Sequence, residues 1–283
     1  MTDHITIRSD IDGASLRLWR WSAAGTPRGA VLIAHGLAEH GRRYARFAAA
    51  LNARGFHVWA IDHRGHGVSM VETPGAFEWP ALVADVAQAG RLLRETYRDL
   101  PRILFGHSLG SFAAQGVLLD HDADFAAAIF SGSSDLPAMA ELAASGADVS
   151  FAAFNAAFAP NRTAFDWLSR DEREVDAYVA DPLCGFDAPP ESVLSLMACA
   201  PRLADPGAYA RVRKGLPLLI LSGDADPLIG GGALFERLAD RWRAAGADVT
   251  TRLYAGGRHE MLNETDRDEV TADIVAWLDR SLA

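Results

Sequence analysis

The chain has 283 residues, 49% of them hydrophobic and 23% charged, with a formal net charge of −10. That apolar content is enough for one sizeable core with or without an inserted piece, and the negative balance excludes a general binder of nucleic acid backbones, which needs clustered Lys and Arg. No stretch approaches 18 uninterrupted apolar residues and residues 1–20 lack a basic start followed by an apolar run, while Cys184 and Cys199 have no metal-like spacing, so the sequence predicts a cytoplasmic protein with free thiols, no stable membrane anchor and an oligomeric state left open.

Residues 15–21 (SLRLWRW) alternate apolar and polar as an edge strand does, whereas Ala30–Ala34 is a continuous apolar run of the kind buried on both faces of a parallel sheet. Further short runs follow at Phe56–Ile61, Arg102–Phe105, Ala126–Phe130, Pro217–Leu221 and Val249–Tyr254. In the helix predicted at about 80–98, Val83, Val86, Gly90, Leu93 and Tyr97 form one stripe, and Pro80 suits the first turn. In the last helix Val270, Ile274, Trp277 and Leu278 share a face that packs on the sheet. Such βα alternation predicts an α/β fold with a mostly parallel sheet. About 85 residues separate Ser131 from Pro217, far more than a crossover needs. Residues 134–210 are therefore read as a helical cap on a core of 1–133 and 211–283, set over the carboxyl ends of the strands, where open α/β sheets bind ligands.

The run Arg102–Phe105 leads directly into Gly106-His107-Ser108-Leu109-Gly110. A strand that turns at once into a helix forces strained backbone and close approach, which the two glycines tolerate. Strand, GxSxG and helix in that order resemble the nucleophile elbow of α/β-hydrolases, an eight-stranded fold, and make Ser108 the candidate nucleophile. A serine hydroxyl needs a histidine to take its proton and a carboxylate to orient that histidine, and on this fold they follow in the order Ser, Asp or Glu, His. Asp224 and Asp226 lie together after Leu216–Leu221 and both qualify by position, one of them serving turn chemistry. His259, after the last strand and the glycines Gly256 and Gly257, is the candidate base. The oxyanion hole on this fold takes the N–H after the nucleophile, here Leu109, and one after an earlier strand, here Leu37, with Gly36 allowing the turn and bordering the substrate site.

Further motifs sharpen the likeness. His35-Gly36-Leu37-Ala38-Glu39-His40, Arg43-Tyr44, Asp62-His63-Arg64-Gly65-His66-Gly67, Ser169–Asp176, Asp181-Pro182-Leu183 and His259–Glu264 stand in the order found in the monoacylglycerol lipase and lysophospholipase-like branch of the α/β-hydrolases, which the chain resembles from about residue 28 to its end. The resemblance implies that Asp226, just before Pro227, is the acid, and that Ser108, His259 and Leu37 carry over. It implies a serine hydrolase acting through an acyl-enzyme on a small-molecule ester or lipid, such as a monoacylglycerol or lysophospholipid, with no cofactor and no metal. The chain departs from animal members at Ala143–Ala159, which holds only Phe151, Phe154 and Phe158 as large apolar groups. These three fall at i, i+3 and i+7, so they are predicted to share a helix face, used either to pack the cap on the core or to wall an acyl-binding site.

Other polar residues receive plainer readings. Glu39 and His40 could shape the oxyanion loop or contact a substrate hydroxyl, but are expected to hydrogen bond within a surface loop; His107 is expected to pack beneath the serine turn, and Asp62, His63 and His66 to lack the spacing of a zinc site. Two rival functions remain: a short-chain carboxylesterase or thioesterase with the same chemistry, and a non-catalytic ligand-binding protein on the hydrolase fold.

Overall fold

The computed structural model describes residues 2–70 and 72–283. Eight strands form one sheet in the order β1-β2-β4-β3-β5-β6-β7-β8: β1 (Thr2–Arg8), β2 (Ser15–Trp21), β3 (Gly29–Ala34), β4 (Phe56–Ile61), β5 (Arg102–His107), β6 (Ala127–Ser131), β7 (Pro217–Gly223) and β8 (Asp248–Tyr254). From β4 to β8 all neighbours are parallel, and β2 joins that block antiparallel through Leu18 opposite Ile61. β1, which the sequence reading did not single out, pairs antiparallel with β2. Its segment places Ile5 and Ile7 among polar residues, so its apolar signal is short, and pairing with β2 decides its conformation.

The parallel strands explain their own composition. β3 reads Gly-Ala-Val-Leu-Ile-Ala and every residue is buried, because helices cover both faces of the sheet. Successive side chains alternate between the two cores. Leu32 and Leu104 point into one core with α2 (Trp79–Thr96), α3 (Leu109–His121) and α10 (Ala233–Ala244). Val31, Ile33 and Phe105 enter the other, with α1 (Ala45–Ala53) and α11 (Arg267–Ser281), where Ile274 and Leu278 are fully buried.

Between β6 and β7 the chain leaves the sheet for six helices: α4 (Leu136–Ala144), α5 (Phe151–Ala156), α6 (Glu172–Ala180), α7 (Pro190–Met197), α8 (Ala200–Ala204) and α9 (Pro206–Tyr209). The predicted helical stripe through Phe151, Phe154 and Phe158 is cut short, because α5 stops at Ala156. Pro160 disfavours helical backbone at Ala159, and the Asn155 carbonyl accepts the Phe158 N–H at 3.0 Å in a tighter turn, together with Asn161 Nδ2 at 2.7 Å. No helix among the described residues is long and apolar enough to cross a membrane.

Two close approaches set the carboxyl edge of the sheet. A Cβ on Gly110, at the start of α3, would lie 2.1 Å from the Ala34 carbonyl oxygen, and one on Gly223, at the end of β7, would lie 1.9 Å from the Gly257 oxygen. The first holds α3 against the loop after β3, and the second holds the loop after β7 against the loop after β8. Gly223→Ala is therefore expected to lower the stability of the chain by about 3 kcal/mol or more, read from urea unfolding. A midpoint unchanged from the parent would show that the two loops need no such contact.

Candidate active site

The order β4-β3-β5 reverses the direction in which the sheet is built, so the loops after β3 and β5 diverge and leave a crevice. Ser108 sits on one side of it. Its backbone has φ 50° and ψ −119°, which is strained for a residue with a side chain. Four hydrogen bonds hold it there: its N–H donates to the Ser131 carbonyl at 3.0 Å, and its own carbonyl accepts from Ser111 N–H at 2.8 Å, Ser111 Oγ at 2.6 Å and Phe112 N–H at 3.2 Å. Leu109, the first residue of α3, has an N–H with no partner inside the helix. With Leu37 it borders a cavity of about 530 Å³ that also contains Ser108.

His259 and Asp226 approach from the far side. His259 Nδ1 lies 2.9 Å from Asp226 Oδ2, and both groups are buried. Asp226 also accepts from Ser222 Oγ at 2.8 Å and from the Leu228 N–H at 2.9 Å. Burial alone would raise this carboxyl, but His259 and the two donors hold it below the ordinary 3.8. An ionised carboxylate can only accept, so Nδ1 carries the proton and Nε2 is left with a free lone pair. Burial alone would lower the imidazole; the Asp226 charge outweighs it and keeps His259 above 6.5. Ser108 and His259 line one small cavity, and no hydrogen bond joins their side chains among the described residues. Such contacts commonly tighten only once substrate is bound.

Residues 25–266 match the hydrolase family described as Serine aminopeptidase, S33. The chain belongs to that family. It is 30% identical over 266 residues to a monoacylglycerol lipase of Mycolicibacterium smegmatis, a match spanning 91% of this chain and 90% of the relative. It is 29% identical over 286 residues to the human monoglyceride lipase, spanning 96% and 89%. A thermostable carboxyl esterase from Bacillus coagulans, solved in complex with glycerol, superposes with a TM-score of 0.86 at 27% identity over 100% of this chain and 99% of that one. The protein is an α/β-hydrolase of the monoacylglycerol lipase-like branch, and a carboxylic ester hydrolase.

In this hydrolase the two candidate acids part company. Asp226 meets His259, whereas Asp224 is exposed and accepts the Gly256 N–H at 2.7 Å, tying two loops together. Phe151 and Phe154 border the large cavity and pack on Trp167 at 5.1 and 5.4 Å between ring centroids. Phe158 does not join them. It lies beyond the end of α5 with its ring 4.2 Å from the Arg258 guanidinium, so the shared face predicted for the three rings is corrected to two.

The surface-loop reading of Glu39 and His40 is also corrected, because both are buried. Glu39 Oε1 accepts the Gly36 N–H at 2.6 Å and the Tyr44 hydroxyl at 2.8 Å, which fixes the turn that presents Leu37. Arg43 then bridges Glu39, at 2.7 Å, to Glu260, at 2.6 and 2.7 Å. One buried guanidinium thus ties the loop after β3 to the residue beside His259. Burial would raise Glu260, yet Arg43 pulls it down to about 2. His40 Nε2 contacts Asp181 Oδ2 of the β6–β7 segment at 3.0 Å.

His107 is buried with its ring 4.8 Å from that of His259, and burial lowers it to about 4, leaving it neutral. Both carboxylate oxygens of Asp62 are taken up by N–H donors, from Trp19 Nε1, Gly41 and Val68. His35 Nδ1 contacts the Gly36 carbonyl at 2.7 Å and His63 Nε2 the His35 carbonyl at 3.1 Å, so this pair braces the backbone of the same loop. His40, Asp181 and Cys184 bring donor atoms within 4.8 Å of one another, but burial pushes the Cys184 thiol up and away from the thiolate a metal would require.

Trp167 was not signalled by the sequence. Its ring lies 4.7 Å from that of His259, and Glu260 N–H donates to the Leu168 carbonyl at 2.8 Å, so the β6–β7 segment itself positions the histidine loop. Arg170 Nε to Glu264 at 2.8 Å fastens the same two pieces.

Removing the bridging cation leaves two buried carboxylates without their counter-charge. Arg43→Met should cost about 3–5 kcal/mol in urea unfolding at neutral pH. Because the folded pKa of Glu260 lies below its ordinary 4.5, the contribution of the pair is complete above that value and is lost as pH falls toward 2. The gap between variant and parent should therefore narrow on acidification. A gap independent of pH would show that the loss is one of packing and not of charge.

Proposed function

We propose that Ser108, His259 and Asp226 act as a catalytic triad on carboxylic esters with a single acyl chain, of the monoacylglycerol or lysophospholipid type. On this reading residues 134–210 form a cap over a core of 1–133 and 211–283. The observation that carries it is the 2.9 Å contact between His259 and Asp226, which commits the histidine proton to Nδ1 and leaves Nε2 free, in a residue that borders the same small cavity as Ser108.

In the reaction so assigned, His259 Nε2 takes the Ser108 proton as Oγ attacks the ester carbonyl. The N–H groups of Leu37 and Leu109 receive the developing oxyanion, each worth on the order of 3 kcal/mol in the transition state. His259, now an imidazolium beside ionised Asp226, returns its proton to the departing alcohol oxygen. Water then enters and gives its proton to His259 as its oxygen attacks the acyl carbon, and His259 passes that proton to Ser108 Oγ as the acyl–oxygen bond breaks and the acid leaves. None of these steps draws on a cofactor.

The acyl chain is assigned to the 530 Å³ cavity, whose walls include Phe112, Leu136, Met139, Phe151, Leu196 and Met197. Its size falls within the usual range for small-molecule sites, and its predominantly apolar lining supports a hydrocarbon chain. The names of the curated relatives support a monoacylglycerol, whereas the likeness to the Bacillus coagulans carboxyl esterase favours a second reading, a short-chain carboxylesterase.

Ser108→Ala should abolish p-nitrophenyl ester hydrolysis while leaving the thermal unfolding temperature near that of the parent. Parent-level turnover in that variant would overturn the triad. In the parent, kcat/KM should climb with acyl length from butyrate, by up to about fourfold per methylene at ~0.8 kcal/mol of burial each. A flat or falling series would select the short-chain esterase.

A further inference from the structure

Helix α3 borders two cavities. The first is the acyl site, reached at Ser108 and Leu109. The second, of about 260 Å³, lies further along the helix and is bordered by Gly116 and Asp120 of α3, Trp79 and Val83 of α2, and Leu203 of α8. Residues 108, 112, 116 and 120 recur every four positions and so form one stripe, which runs about 18 Å along the axis. Phe112, 4% exposed, borders both cavities. The cover runs in the same direction: Leu196 and Met197 stand over the first cavity, Cys199 and Leu203 over the second. The two spaces are thus arranged end to end under one strip of chain with a phenyl ring between them.

The second space is built for hydrocarbon. Trp79 and Leu203 are buried, and Gly116 presents bare helix backbone, with Val83 the nearest side chain to the place a Cβ would take. Burial pushes the Cys199 thiol up to about 12, so it stays neutral. The charges lie at Asp120 and Arg202, which neutralise each other at 2.5 Å. Among the described residues no unpaired charge there would hold a polar headgroup.

Resting on the ester hydrolase reading above, we propose that Phe112 gauges acyl-chain length: its ring ends the acyl site, and the compartment behind it admits the far end of a longer chain once the ring is removed. Phe112 is suited to this because its neighbours Gly110, Ser111, Ala113 and Ala114 are all small, so one side chain sets the depth of the site.

The test compares kcat/KM for p-nitrophenyl octanoate, laurate and palmitate in the parent, in Phe112→Ala and in Phe112→Leu. The parent should level off before palmitate. Phe112→Ala should raise the palmitate-to-octanoate ratio more than tenfold, since two newly buried methylenes at about fourfold each already suffice, with Phe112→Leu in between. Adding Val83→Phe to Phe112→Ala refills the second space and should bring the ratio back toward the parent's. A folded, active Phe112→Ala or Phe112→Leu with the parent's ratio would overturn the proposal, as would a gain that Val83→Phe does not reverse. A parent inactive on every ester would instead overturn the hydrolase reading on which it rests.

Discussion

Ser108 is held in a backbone conformation that a residue with a side chain adopts only under constraint, at φ 50°, and everything else in the site is placed relative to it. Strain of this kind costs of order 1–3 kcal/mol and persists only where the surroundings over-determine it. Here the surroundings are a parallel strand ending at His107, a helix starting at Leu109, and Gly110 pressed against the Ala34 carbonyl so closely that no Cβ fits. The same contact that permits the turn also brings the loop after β3 beside the serine. The candidate nucleophile and the candidate oxyanion donors are thus fixed by a single packing event at the edge of the sheet.

Electrostatics completes the arrangement in two layers. Beside the same small cavity as the serine, Asp226 accepts the Nδ1 proton of His259 in a buried pair, with neutral His107 packed against the imidazole. Behind them, Arg43 carries the counter-charge for both Glu39 and Glu260. That second layer explains how loops from opposite ends of the sequence keep their register: Glu39 grips the Gly36 amide, Glu260 follows His259, and one guanidinium spans them. A buried triad of this sort is not a large source of net stability, since desolvation offsets much of the attraction; its value lies in geometry.

How much of this was legible in the sequence follows from how local each signal is. The continuous apolar runs of β3 to β7 announced a sheet covered on both faces, and the GxSxG turn announced the serine, because both depend on adjacent residues. Asp226 could not be separated from Asp224 by spacing, since the difference is which carboxylate is buried against His259, a contact across 33 positions. Glu39 read as a surface residue because its partners Arg43 and Tyr44 acquire their meaning only when Glu260 arrives from 217 residues beyond Arg43. Phe158 fitted a helical spacing, but Asn161 and Pro160 ended α5 first. Trp167 carried no pattern at all; its place against His259 comes from the path of the β6–β7 segment over the sheet.

Membership of the serine hydrolase family and the relatives' names agree with what the geometry supports, and they leave the chemistry of Ser108 itself as the point on which the account turns. The most direct measurement is the mass of the intact protein after exposure to a fluorophosphonate. The account predicts one adduct per chain, on Ser108, formed far more slowly when His259 is replaced by alanine. No adduct, or an adduct on another residue, would contradict it.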